Sequence, residues 1–286
     1  MSLVTRRRVL TGLGASAAAV LAPPAADAFA DGHEHGPRPL RRAHAHNDFE
    51  HPRPLLDALD HRFGSVEADI FLVDGELLVA HSADQLDPTR TLESLYLAPL
   101  AARVRAHHGS VYRGYRQPLQ LLIDIKTEGS STYLALDRQL GRHKGLFTTF
   151  AHGSVRPGPV TAVVSGDRAA RTPMEAQAVR RAFYDGRLAD LGTSESSFAP
   201  LISDNWTLNF TWLGLGAFPE AERQKLRTIV GAAHARGQQV RFWATPDLAG
   251  PARDALWTEL LAADVDYLNT DDLAGLEAFL DAHRTA

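Results

Sequence analysis

Val66-Glu67-Ala68-Asp69-Ile70-Phe71-Leu72 is an apolar run broken by two acids spaced two apart. Side chains at i and i+2 leave the same face of a β-strand, so the two carboxylates share one face while Val66, Ala68 and Ile70 share the other. The pattern recurs in Leu121-Leu122-Ile123-Asp124-Ile125-Lys126, where an acid and a base close a second strand-like run. Polar groups at the C-terminal ends of buried parallel strands are where α/β barrels carry their chemistry. Three acids gathered there repel one another and call for a divalent cation, with Lys126 as a further positive charge. An all-carboxylate donor set favours a hard ion, Mg²⁺ or Ca²⁺ rather than Zn²⁺. Taken singly, each acid also reads as an ordinary surface charge. Their joint placement at strand ends carries the inference.

Working outward, short Val-, Ile- or Leu-rich runs fall at 43–46, 65–71, 119–125, 160–165, 182–184, 201–204, 239–244 and 267–269. Helix-like segments separate most of them, at 54–62, 95–107, 133–140, 173–182, 221–235, 251–262 and 273–283. Strand and helix in alternation predict a parallel sheet covered on both faces. The expected fold is α/β, a single-domain (β/α)₈ TIM barrel. An open doubly wound sheet fits the alternation nearly as well, so the motifs must decide. Residues 109–118 and 151–159 read as loops by their Gly, Pro and Arg content.

The composition narrows the function classes. Of 286 residues, 44% are apolar and 22% charged, as in a globular enzyme. Net charge is -4 and no long Lys/Arg block follows the first residues, which argues against nucleic acid as a partner. The absence of cysteine removes disulfides, zinc-thiolate sites and thiol nucleophiles, so any metal must be held by oxygen or imidazole. Thr5-Arg6-Arg7-Arg8-Val9-Leu10, an apolar run from Leu13 to Ala22 and Ala28-Phe29-Ala30 follow the order of a twin-arginine export signal cut after Ala30. Residues 1–30 are therefore expected to be a signal peptide and 31–286 the secreted barrel, close to the ~250 residues typical of that fold.

Two histidines stand in strand-end contexts. His44-Ala45-His46-Asn47-Asp48 closes the first strand, and Leu77-Leu78-Val79-Ala80-His81 follows the Asp74-Gly75 turn. Imidazole titrates near neutrality, so His46 and His81 suit a general acid and a general base for cleaving a P–O bond. Most of the other histidines have no such context.

The combination of His46, Glu67-x-Asp69, His81 and Asp124-x-Lys126 resembles the superfamily of glycerophosphodiester phosphodiesterases, phosphatidylinositol-specific phospholipases C and spider-type sphingomyelinases D. It is most similar to a bacterial and fungal subgroup whose N-terminal motif reads like His44-Ala45-His46-Asn47-Asp48. Val240-Arg241-Phe242-Trp243-Ala244-Thr245 and Val265-Asp266-Tyr267-Leu268-Asn269-Thr270-Asp271 resemble that superfamily's last two barrel strands. The resemblance implies a metal held by Glu67, Asp69 and Asp124, acid/base catalysis by His46 and His81, and Lys126 on the phosphoryl oxygens. It further implies that Asn47 orients the phosphate and that Trp243 lines the pocket. The expected activity is that of a phosphoric diester hydrolase on small-molecule or lipid phosphodiesters. The chain departs from typical glycerophosphodiesterases, in which Arg-Gly follows the first histidine where Asn47-Asp48 stands here. The paired cysteine loops of the spider enzymes are also absent.

The most aromatic stretch, from Asn205 to Phe218, has two readings. It is an apolar wall for an acyl chain, giving transient contact with a membrane surface, or it is packed core, the commoner outcome. The protein is expected to be a monomer. Two further functions compete with the phosphodiesterase: an amidohydrolase-type metal hydrolase using His44 and His46, and a barrel that binds phosphate or lipid without turnover. The first lacks histidines at later strand ends, where Ser165, Asp204 and Asn269 stand. The second is expected to lose at least one of the five groups His46, Glu67, Asp69, His81 and Asp124, all of which are present.

Overall fold

A computed structural model describes residues 35–283. The export segment and the boundary expected at residue 30 lie outside the described residues. Eight strands follow one another around the sheet: β1 Leu40–Ala45, β2 Phe63–Val73, β3 Leu119–Ile125, β4 Val160–Gly166, β5 Ala182–Gly186, β6 Leu201–Asn205, β7 Gln239–Trp243 and β8 Leu268–Thr270. Neighbours from β1 to β7 pair parallel in chain order, and β8 pairs parallel with β1. The last seam, between β7 and β8, is joined by a bridge from Arg241 to Tyr267, with the Asp266 and Tyr267 N–H groups donating to Val240 O. The sheet is thus a barrel rather than the open, doubly wound alternative. Its central strands are buried on both faces, which is why they read as near-continuous apolar runs.

Helices α1 Leu56–Asp60, α2 Ala98–Ala106, α3 Gly129–Leu140, α4 Arg171–Ala176, α5 Trp206–Asn209, α6 Glu220–His234, α7 Pro251–Ala262 and α8 Leu273–Ala282 form the outer layer. In α6 the buried residues are Leu226, Val230 and Ala233, one helical stripe with polar side chains around it. Glu128 caps α3 by accepting hydrogen bonds from the Ser130 and Ser131 N–H groups. Among the described residues no helix is long and apolar enough to cross a membrane.

The structure corrects two local expectations. The helix predicted at 173–182 ends at Ala176, where Gln177 turns extended, and Val179–Arg180 instead joins a small antiparallel sheet. The Arg180 guanidinium then lies over the Phe150 ring at 4.1 Å. The loop predicted at 151–159 is partly a hairpin of Thr149–Ala151 with Ser154–Arg156, turned by His152 and Gly153 at φ 51° and 76°. Positive φ at both turn residues is the tight-hairpin geometry, here with a histidine where Asn or Asp is usual.

Candidate active site

β2 overruns the barrel and folds back through Asp74 and Gly75 onto Glu76–Val79, pairing Ile70 with Val79. The return strand therefore delivers His81 beside Asp69, with Nδ1 3.3 Å from Asp69 Oδ2. On the other side of β2, Asp69 pairs in register with Asp124 of β3. One oxygen each from Glu67, Asp69 and Asp124 falls within a 4.8 Å cluster. Lys126 Nζ lies 3.1 Å from Asp69 Oδ2 and 3.4 Å from Asp124 Oδ1. Glu67, His81, Asp124 and Lys126 line a cavity of ≈ 240 Å³ together with His46, Asn47 and Trp243, and Asp69 lies buried beside them. All eight residues predicted for the site thus meet at one end of the barrel.

The electrostatics set the three acids apart from one another. Burial, then the charges of Glu67 and Asp124, push the Asp69 carboxyl up to about 8 despite Lys126. Burial raises Asp124 as well. Burial acts the same way on Glu67, but Arg241 and the hydrogen bond from His44 overcome it and hold that carboxyl well below the usual range. Asp69 Oδ1 is buried with no hydrogen-bond partner. A buried carboxylate oxygen without a donor, among three converging acids, fits a hard divalent cation.

His46 directly follows β1, and Asn47 comes next in the left-handed region at φ 47°, a conformation asparagine tolerates well. His46 Nδ1 lies 2.8 Å from Asp271 Oδ1, and the Asn47 amide nitrogen is 3.3 Å from the same oxygen. Burial pulls the His46 pKa down, but the bond to Asp271 and the Glu67 charge outweigh it, so the group lies above the ordinary histidine value. Asn47 is thus directed at the His46–Asp271 pair. His81 is more than half exposed and stacks on Phe49 with ring planes 15° apart.

Sequence reasoning missed four participants. His44 is fully buried between Ser65 Oγ at 2.7 Å and Glu67 Oε2 at 3.1 Å, and burial and Arg241 push its pKa down to about 3. Arg241 is buried on β7, 3.3 Å from Glu67 Oε2 and 3.0 Å from Asn269 Oδ1. Its signal was available, since it precedes Trp243 by two residues and so shares that strand face. Asp185 and Arg187 form the other pair, 2.6 Å apart, with Ser165 and Ser203 donating to the fully buried Asp185. The strand predicted at 182–184 stopped one residue short of that pair.

The aromatic stretch is mostly packed core. Trp206 stacks on Phe210 at 4.1 Å, Trp212 stacks on Phe218 at 4.5 Å, and all four rings are buried. Leu208, Leu213 and Leu215 between them are exposed.

Comparison with known proteins agrees with this architecture. The AIM6-like phosphodiesterase domain profile matches residues 38–185, and the glycerophosphoryl diester phosphodiesterase family profile matches residues 239–274. The altered inheritance of mitochondria protein 6 homolog of Arthroderma benhamiae is 30% identical over 82% of this chain and 82% of its own length. Altered inheritance of mitochondria protein 6 of Eremothecium gossypii is 29% identical over 84% of this chain and 69% of its own. Among solved structures, a glycerophosphodiester phosphodiesterase from Parabacteroides distasonis superposes with a TM-score of 0.51 at 12% identity, covering 86% of this chain and 99% of that one. The phosphatidylinositol-specific phospholipase C of Listeria monocytogenes gives 0.50 at 8% identity, covering 88% and 95%. At such identities the two structures speak for the shared fold alone.

Proposed function

This chain belongs to the AIM6-like phosphodiesterase domain family, and we propose that it is an exported, metal-dependent phosphoric diester hydrolase acting on glycerophosphodiesters or (lyso)phospholipid head groups. The observation that carries this reading is the buried, partnerless Asp69 oxygen among three converging carboxylates, flanked by His46 and His81. Glu67, Asp69 and Asp124 would hold Mg²⁺ or Ca²⁺, which when bound supplies positive charge to the phosphoryl oxygens. Lys126 adds a fixed positive charge to the same oxygens. His46, in its neutral form with Nδ1–H directed at Asp271, takes the proton of the attacking hydroxyl at Nε2, and Asp271 stabilises the imidazolium that results. His81 protonates the leaving oxygen from the open side of the cavity. Trp243 bounds the substrate, and Asn47 holds the His46–Asp271 pair in place.

Exposed Leu208, Leu213 and Leu215, rather than the buried aromatic rings, serve brief contact with a lipid surface. Export rests on the Arg6-Arg7 motif, and replacing both arginines with lysine should retain the protein inside the producing cell.

The test is hydrolysis of bis(p-nitrophenyl) phosphate, glycerophosphodiesters and lysophospholipids with Mg²⁺, Ca²⁺ or EDTA, beside His46→Ala. Turnover that requires metal and is lost in the variant is expected. A folded, metal-loaded protein that turns over none of these would overturn the assignment and favour binding without catalysis.

A further inference from the structure

We propose that His44 is a positioning residue that makes Glu67 a one-oxygen ligand and thereby tunes the carboxylate site to Mg²⁺ over Ca²⁺. The inference rests on the reading of Glu67, Asp69 and Asp124 as a metal site, but not on the reaction performed there.

The argument begins with one proton. His44 Nε2 faces Glu67 Oε2 at 3.1 Å, and an ionised carboxylate can only accept. Nε2 must therefore carry the hydrogen. A neutral imidazole has just one, so Nδ1 is an acceptor and Ser65 Oγ, 2.7 Å away, must donate to it. The Ser65 oxygen in turn accepts from Gln120 Nε2 at 2.8 Å. Donation thus runs one way, from Gln120 through Ser65 and His44 to Glu67, and every member is buried. Reversing it would set a bare ring nitrogen against a carboxylate. The far end of the chain thereby locks the tautomer that the near end needs.

The consequence lies in how the acids are divided. Glu67 Oε2 receives both His44 and Arg241 Nη2, so it is committed to the protein. Asp69 Oδ2 faces Lys126 and His81, while its Oδ1 is the buried oxygen without a partner. Asp124 Oδ1 faces Lys126. Each carboxylate has one oxygen held by a protein donor, which leaves one apiece for a cation. Three single-oxygen ligands suit the small, strictly six-coordinate Mg²⁺, which keeps its remaining positions for water and substrate oxygens. Ca²⁺ takes six to eight ligands and readily uses both oxygens of a carboxylate. Without His44, Glu67 Oε2 is held by Arg241 Nη2 alone, at 3.3 Å, and the weaker hold lets both oxygens turn to a larger ion.

The experiment measures metal affinity and tautomer rather than turnover. Calorimetric titration of MgCl₂ and CaCl₂ into the full chain is compared for wild type, Ser65→Ala, His44→Phe and His44→Gln, each checked by thermal melting. Wild type should favour Mg²⁺. His44→Phe should lose about 10-fold or more of that preference, the scale on which outer-shell partners act. His44→Gln, whose amide nitrogen can still donate to Oε2, should keep most of it, and Ser65→Ala should fall between. Independently, ¹⁵N NMR of the metal-free protein should show the His44 proton on Nε2. Four results would each overturn the proposal: a wild-type preference for Ca²⁺, a folded wild type that binds neither ion, an unchanged Mg²⁺/Ca²⁺ ratio in folded His44→Phe and Ser65→Ala, or a proton on Nδ1. Selective Mg²⁺ binding without phosphodiester hydrolysis would leave the proposal standing and bring down the enzymatic reading instead.

Discussion

Replacing Asp48 with asparagine should stabilise the protein at alkaline pH and leave it unchanged at acid pH. Asp48 is completely buried behind the His46–Asn47 turn. Its Oδ2 accepts from the Leu55 N–H at 2.6 Å and from the Tyr96 hydroxyl at 2.8 Å, while Oδ1 is buried without a partner. Burial outweighs both hydrogen bonds and pushes the carboxyl from 3.8 up to about 7. The folded state therefore holds this proton more tightly than the unfolded chain. The stability it lends is complete below about pH 4 and is lost as pH climbs through about 7. At ~1.36 kcal/mol per pH unit, the span from 3.8 to about 7 sets a ceiling of about 4 kcal/mol. Asparagine mimics the protonated acid, with its oxygen on Leu55 and Tyr96 and its amide in place of Oδ1. Urea unfolding of both proteins in EDTA at pH 4, 5.5, 7 and 8.5 isolates the effect, because every other titrating group is shared and cancels in the difference. The curves should coincide at pH 4, and the variant should lead by roughly 2–4 kcal/mol at pH 8.5, with Tm higher by about 2–4 °C for each kcal/mol. A difference independent of pH, or a variant less stable at pH 8.5, would refute the reasoning.

His46→Ala should lower kcat by about 10²- to 10⁴-fold. Asp271→Asn, which replaces the charged acceptor that raises His46 by a neutral amide, should move the histidine limb of the pH–rate profile to lower pH. Gly166 sits at φ 80°, where a Cβ would overlap Asp124 Oδ1 and the Ile125 backbone. Gly166→Ala should therefore cost more than about 1 kcal/mol in denaturant melts and weaken divalent binding in calorimetry. Trp206→Ala should cost about 3–5 kcal/mol of stability, whereas Leu208→Ser should cost almost none and instead reduce co-sedimentation with lipid vesicles. Arg187 is clamped by Asp185 on the cavity wall. Arg187→Met should raise KM on the best substrate of the hydrolysis panel with little change in Tm.

What was legible in the sequence was whatever a short window can express. Two acids at i and i+2 in Val66 to Leu72, and Asp124 with Lys126 at the same spacing, announced a functional strand face because strand geometry alone decides which side chains share it. The alternation of strands and helices gave the fold class, and the missed hairpin at 149–156 was a local failure of the same kind, a turn built on His152-Gly153 in place of the usual Asn-Gly or Asp-Gly. The partner of a buried charge is a different sort of information. Arg241 reaches Glu67 across 174 residues of chain, and Gln120 reaches Ser65 across 55. No periodicity encodes such pairings, because the first follows from strands β7 and β2 meeting across the barrel interior and the second from the register of β2 with β3. His44 shows the cost. Read along the chain, it is the first half of a His-x-His pair and suggests two imidazole ligands. Read across the barrel, it hydrogen-bonds Ser65 and Glu67, while His46 turns to Asp271. The one-residue step between them, Ala45, puts both rings on one face of β1, yet depth separates them: His44 lies sealed below the carboxylates, where burial and Arg241 keep it neutral, and His46 stands at the cavity, where an acid supports its charge. Local spacing therefore identified which residues face the site, and only their depth along the barrel axis sorted the proton carrier from the residue that holds a ligand still.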